Sequence, residues 1–211
     1  MGSALLLLHA DAHCLVVDKP AGLLAVPGRG ADKQDCLAAR VQAAFGDALV
    51  VHRLDMATSG LMLFARGPDA QRRLSAAFAR REVHKRYVAV VQGCVAPAQG
   101  EIDLPLIADW PQRPRQKVDR ALGKASLTRY RVLDIDAARD RSRLELEPVT
   151  GRAHQLRVHL CAIGHPILGD ALYAPPAALA AADRLLLHAA VLRFAHPASG
   201  AAIEVTSGVP F

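Results

Sequence analysis

Asp55 sits in VVHRLDMATSGLMLFAR, residues 50–66, between an apolar stretch ending at Val51 and another beginning at Leu61. A carboxylate on a loop held by two strand-like runs is placed to act as a nucleophile or a general base, because rigid anchors favour function on the loops between them. The same residue could instead cap the turn. Thr58, Ser59 and Gly60 follow at a spacing that would let hydroxyl and N–H groups fix the carboxylate, and Arg53 stands two residues before it. A second concentration of polar groups is TGRAHQLRVHL, residues 150–160. On a helix beginning near His154, Arg157 falls one turn along on the same face, while Leu156, Leu160 and Ile163 can face a core. An arginine among apolar residues needs a carboxylate partner, and Asp55 is a candidate by type.

Other chemistries lack their residues. His154 and His159 do not form an HExxH pair, and the four cysteines are too scattered for a paired CxxC frame, so no metal site is expected. There is no GxSxG elbow, no GxxxxGK[ST] loop and no GxGxxG after a strand, which leaves hydrolase, nucleotidase and dinucleotide readings without a motif. Two basic clusters remain. RRLSAAFARREVHKR has six Lys or Arg against one Glu, and RPRQKVDRALGK has five against one Asp. Either could be a solvated face; flanking the ring-bearing strand at Tyr87, they look more like a groove for phosphates. The net charge of +6 and pI near 9.5 also favour a polyanionic partner. Aromatic residues make up only 4% of the chain, so any base stacking must fall to one or two rings.

The elements that must position these groups follow from pattern. LLLLHADAHCLVVDKPAGLLAVPG reads as an N-terminal hairpin closed by Pro and Gly punctuation. DCLAARVQAAF spaces Leu37, Val41, Ala44 and Phe45 on one helical face, with Asp35 as the expected cap. PDAQRRLSAAFARR predicts a second helix with Pro68 in its first turn, where a missing N–H costs little. VHKRYVAVVQG predicts a long strand, and ADWPQRPRQKVDRALGK an exposed loop. ASLTRYRVLDI and SRLELEPV predict two more strands, HQLRVHLCAIG a helix stopped by Gly164, and LLLHAAVLRFAHP with AAIEVTS a closing hairpin. Strands and helices mix without βαβ alternation, which predicts a mixed, mostly antiparallel sheet with a few helices beside it. At 211 residues and 52% hydrophobic content, one domain with a substantial core is expected. No apolar run approaches a membrane span and the opening residues lack the regions of a leader, so a cytoplasmic protein is expected.

Taken together, these stretches resemble the RluA family of pseudouridine synthases from about Leu15 onward. HRLDMATSGL resembles the family's catalytic motif, KRYVAVVQG its tyrosine-bearing strand, GRAHQLRVHLCAIGHPILGD its third motif and DKPAGLLAVPG its N-terminal signature. The resemblance implies an α+β fold with a central mostly antiparallel sheet and a cleft along its middle. It implies isomerisation of uridine in RNA to pseudouridine, without cofactor or metal. Matched residue by residue, it makes Asp55 the essential aspartate, Tyr87 the active-site tyrosine, Arg157 the arginine paired with that aspartate, and Arg53 the arginine that enters the RNA stack. Leu156 would wall the uracil pocket, and Lys85, Arg86, Arg113, Arg115 and Lys117 would meet RNA phosphates. LPLIADWPQRPRQKV and GHPILGDALYA, with no S4-type domain ahead of them, are similar to a member acting on both a tRNA anticodon loop and a hairpin loop of large-subunit rRNA. A monomer is the expected state. Competing readings are another family member with a different rRNA target, an RNA-binding protein without catalysis, and a glycosidase or base-excision enzyme.

Overall fold

The computed structural model describes residues 5–211. The chain forms two compact units, one containing the residues up to Lys85 together with Ala189–Pro210, the other Arg86–His188 with Phe211. Both are built on antiparallel strands with short helices beside them.

In the first unit, β1 (Leu6–Ala10) and β2 (Cys14–Lys19) form the expected hairpin, with Leu7 opposite Val17. Its turn is tied by Asp11, whose Oδ1 accepts hydrogen bonds from the backbone N–H groups of His13 at 2.7 Å and Cys14 at 2.8 Å. Partial burial pushes this carboxyl up, but the two N–H groups, His9 and His196 outweigh it and hold the group well below the usual carboxylate range. After helix α1 (Leu37–Ala44) come β3 (Ala48–Val50) and β4 (Ser59–Arg66), and β4 pairs with both β2 and β3.

Every residue of β4 from Ser59 to Ala65 is buried. The period of two sends Leu61, Leu63 and Ala65 into one core with Val16, Leu74 of α2 (Gly67–Ala79), Val83, Leu192 and Phe194. It sends Met62 and Phe64 into a second core with Leu15, Val17, Leu37 and Val41. An apolar strand flanked on both faces explains why this stretch shows no polar alternation. The closing hairpin, β11 (Leu187–Ala195) with β12 (Ala202–Thr206), is also as expected.

The second unit, which takes β5 (His84–Gln92) from Arg86 onward, orders β5, β10 (Arg141–Pro148), β9 (Leu127–Asp136) and β6 (Gln99–Asp103) as antiparallel neighbours. Along β10, Ser142, Leu144, Leu146 and Pro148 are buried and alternate with half-buried residues. Helix α3 (Gln155–Ala162) buries every residue from Gln155 to Leu160, and a short α4 (Pro176–Ala180) packs Ala178 against Val90 and Leu168.

Two sequence expectations need correction. Asp35 does not cap α1: it takes Arg40 in an ion pair, and the cap is Cys36, whose Sγ accepts from the Ala39 N–H at 3.4 Å. The stretch ADWPQRPRQKVDRALGK is not one loop. β7 (Leu106–Ala108) and β8 (Gln116–Val118) pair antiparallel and enclose a 3-10 turn over Trp110–Gln112. Three-residue strands carry no readable periodicity, and Pro and charge dominate the segment between them.

Candidate active site

Asp55 lies on the segment between β3 and β4, half-buried, at the entry to a turn in which the Thr58 N–H donates to its backbone carbonyl at 3.1 Å. The turn is anchored at both ends. On one side Met56 O accepts from the Gly22 N–H at 2.9 Å and from Lys19 Nζ at 2.9 Å. Lys19 is fully buried at the end of β2, and its ammonium also donates to Pro20 O at 2.9 Å and Leu23 O at 2.7 Å. A buried ammonium is costly unless its protons are satisfied, so these bonds bind the DKPAG turn and the Asp55 turn into one piece. DKPAG therefore does more than punctuate the chain; three carbonyls converging on one lysine is a tertiary fact that spacing does not reveal.

On the other side Thr58, Ser59 and Gly60 are all buried. Gly60 has φ +111°, and a Cβ there would lie 2.3 Å from the Ala189 carbonyl oxygen and 2.5 Å from its nitrogen. Only glycine permits that approach. His52 completes the support. Its Nε2 accepts the Leu63 N–H at 2.8 Å, and its ring stacks on Phe78 with centroids 4.5 Å apart. Desolvation, followed by the charge of Lys85, pushes its pKa down to about 3, so the imidazole stays neutral and keeps that lone pair available. Arg53 projects from the same segment and is exposed, while Leu54 behind it is buried.

In the second unit, Tyr87 is half-buried on β5, opposite Leu146. Arg157 is buried on α3, 3% exposed, and is gripped by a carboxylate the sequence reading missed. Asp170 accepts from Arg157 Nε at 2.8 Å and from Nη2 at 2.6 Å, a two-pronged pair that fixes the guanidinium plane. Asp170 is itself aimed by the N–H groups of Leu172 at 2.9 Å and Tyr173 at 3.3 Å. The signal lay in GHPILGD, which carries Asp170 but gives no reason from helical spacing to join it to Arg157, thirteen residues earlier.

The remaining polar residues of TGRAHQLRVHL brace the helix. Gln155 donates to Leu127 O at 2.9 Å and Thr128 Oγ1 at 3.0 Å, and accepts from Thr150 Oγ1 at 2.7 Å. His159 lies between Thr128 Oγ1 and Leu104 O, each at 2.9 Å; burial lowers its pKa against the opposing pull of the Leu104 carbonyl and Asp103. Leu156 is 6% exposed on the same helix. His154, at φ 54°, caps it from the left-handed region and meets the Tyr173 hydroxyl at 2.6 Å.

The basic residues divide by setting. Arg86 is exposed and 3.6 Å from Glu145; Lys85 is half-buried, 6.0 Å from the Phe78 ring centroid. Lys117 is exposed on β8, Arg113 stacks on Trp110, and Arg115 lies over the Tyr173 ring at 5.3 Å. Among the described residues, His9, Asp11 and Cys14 bring possible metal ligands within 4.8 Å of one another. Hydrogen bonding accounts for that grouping, with His9 Nε2 at 2.9 Å and Cys14 Sγ at 3.7 Å from the Asp11 carboxylate that caps the hairpin turn. Among the described residues no helix is long and apolar enough to cross a membrane.

Each unit thus holds polar side chains on a fixed backbone, Asp55 on an anchored turn in the first, Tyr87 on a strand and Arg157 in a two-pronged ion pair in the second. Residues 13–162 match the model of the RNA pseudouridylate synthase family, and the chain belongs to that family. It is an RNA pseudouridine synthase, an enzyme acting on RNA. It is 52% identical over 93% of its length to the dual-specificity RNA pseudouridine synthase RluA of Escherichia coli K12, covering 89% of that protein. It is 50% identical over 91% of its length to RluA of Vibrio cholerae, covering 78% of it. Its fold is similar to that of human RNA pseudouridylate synthase domain containing 1, with a TM-score of 0.82 at 29% identity over 100% of this chain and 86% of that one.

Proposed function

We propose that the enzyme isomerises uridines held in single-stranded loops of structured RNA, a tRNA anticodon loop and a hairpin loop of large-subunit rRNA, with Asp55, Tyr87 and Arg157 as its catalytic residues. Support for two RNA classes comes from the dual-specificity relatives at 50–52% identity. The observation that carries the residue assignment is the anchoring of the Asp55 turn by buried Lys19, whose bonds to Met56, Pro20 and Leu23 give a loop carboxylate the fixed position that attack on a sugar carbon demands. The enzyme works as a cytoplasmic monomer.

The reaction breaks the N1–C1′ bond, turns the uracil while it stays bound, and joins C5 to C1′, after which the C5 proton leaves. N1, freed from the sugar, takes up a proton as C5 gives one to solvent, so the product is an isomer of the uridine with no net change in atoms or electrons, and no cofactor is required. Ionised Asp55 either attacks C1′ or removes a proton from C2′. Arg157, its guanidinium plane fixed by Asp170, brings a positive charge of set orientation to the reaction. Tyr87 offers a ring for the uracil and a hydroxyl for the departing C5 proton, and Leu156 walls the pocket against loss of the base. The uridine leaves its stack at a cost of about a few kcal/mol, and Arg53 fills the gap. Lys85, Arg86, Arg113, Arg115 and Lys117 meet the phosphates.

Tritium release from RNA labelled at uridine C5 tests the assignment. In Tyr87→Phe, base binding is retained and the late proton step is lost, so rearranged nucleotide accumulates without tritium release. Release at the wild-type rate in that variant would remove Tyr87 from the proton step.

A further inference from the structure

We propose that Trp110 is a stacking platform for an unpaired base of the bound RNA other than the uridine that reacts. The inference rests on the reading of the substrate as loop RNA. Trp110 is the chain's single tryptophan and is 62% exposed, and among the described residues no phenylalanine or tyrosine is as open to solvent. Isolated exposed apolar residues are ordinary, and exposure alone would carry nothing.

Three further observations separate this ring from that background. First, the indole is already stacked: the Arg113 guanidinium carbon lies 3.6 Å from its ring centroid, and Arg113 Nε donates to Trp110 O at 3.4 Å. A guanidinium so close covers one face, so the large remaining exposure leaves ring surface open to a second planar group.

Second, the ring stands on a braced turn. Asp109 N–H donates to Arg115 O at 2.9 Å, Gln112 N–H to Asp109 O at 3.0 Å, and Arg115 N–H to Gln112 O at 3.0 Å. The stem below is fixed to the body of its unit, where the Gln116 N–H donates to the Tyr173 hydroxyl at 2.8 Å and Leu106 packs with Val158 and Tyr173. A platform fixed before binding loses little freedom when a base lands on it. Third, the surroundings suit a nucleotide. Arg113, Arg115 and Lys117 place positive charge on the same hairpin, so a base on the indole brings its phosphate among cations.

The single tryptophan makes the test direct. Intrinsic fluorescence of the full-length Asp55→Asn protein is titrated with an anticodon stem-loop RNA and, in parallel, with blunt duplex RNA of the same charge. The stem-loop quenches the emission and the duplex does not. In the otherwise wild-type enzyme, Trp110→Ala raises the KM for the stem-loop about 5- to 150-fold, the range that loss of one base–aromatic stack produces, with kcat at saturating RNA within about twofold. Trp110→Phe recovers most of the loss, and thermal stability is unchanged in both variants. The salt dependence of binding also stays unchanged in Trp110→Ala, whereas Arg113→Ala flattens it. Tritium release without quenching, equal quenching by duplex, or an unaltered KM in Trp110→Ala would overturn the platform. Quenching by the stem-loop with no tritium release from it by the wild-type enzyme would instead count against loop RNA of this kind as the substrate and leave the stack in place.

Discussion

The residues proposed for the chemistry are held in place by others outside that set. Arg157 owes its plane to Asp170, and Asp170 owes its aim to two backbone N–H groups. Removing one member of a buried ion pair leaves the other charge unpaired, a loss of about 3–5 kcal/mol. Asp170→Asn is therefore expected to lower both thermal stability and kcat, while Arg157→Lys, which keeps the charge but not the fork, lowers kcat more than stability. Equal kcat in Arg157→Lys and wild type, measured by tritium release, would argue against any need for the planar fork. The residues proposed for the site, Asp55, Tyr87, Arg53 and Arg157, could be named from the sequence because their motifs are contiguous. Asp170 and Lys19 were not, since their partners are distant along the chain or are backbone carbonyls that any residue type supplies.

Among the elements, β4 and the turn before it bear the tightest constraints. A Cβ at position 60 would overlap the Ala189 backbone as well as strain φ, so Gly60→Ala should destabilise the protein by about 2–5 kcal/mol and displace the Asp55 turn. Urea unfolding measures the loss; a change below about 0.5 kcal/mol would mean that the backbone yields easily. His52 gives β4 a pH dependence. Folded, its imidazole stays neutral down to about pH 3, whereas the unfolded chain takes a proton near 6.5. Its contribution is complete above pH 6.5 and is lost as the pH falls from 6.5 toward 3. His52→Gln should accordingly flatten the fall in melting temperature between pH 7 and pH 5, and an unchanged slope would place that titration elsewhere. The long strands and helices could be read from periodicity. The β7–β8 hairpin could not, because its strands are too short to show a period and its pairing depends on contacts with Tyr173 and Val158.

At the scale of the whole molecule, the charge of +6 acts through where it is placed. Lys117 and Arg113 stand exposed on the β7–β8 hairpin, while Arg86 is shared with Glu145. Replacing Arg113, Arg115 and Lys117 together with alanine is expected to weaken RNA binding at 0.1 M salt and to reduce the slope of log affinity against log salt by about 2–3, one phosphate contact contributing ~0.7–0.9. An unchanged slope would remove this hairpin from the phosphate path. Net charge indicated a polyanion but not which loops meet it, since composition is blind to ion pairs such as Arg72 with Asp69 and Arg80 with Glu82, which take up two of the six cations in the cluster that begins on α2.

The central claim is that Asp55, on a turn made rigid by Lys19 and Gly60, performs the bond rearrangement. Single-turnover tritium release from C5-labelled stem-loop RNA, run beside a binding isotherm on the same RNA, tests it most directly. For Asp55→Asn the account predicts release lowered by at least 10³-fold with affinity within about threefold of wild type. Release near the wild-type rate in that variant would contradict it.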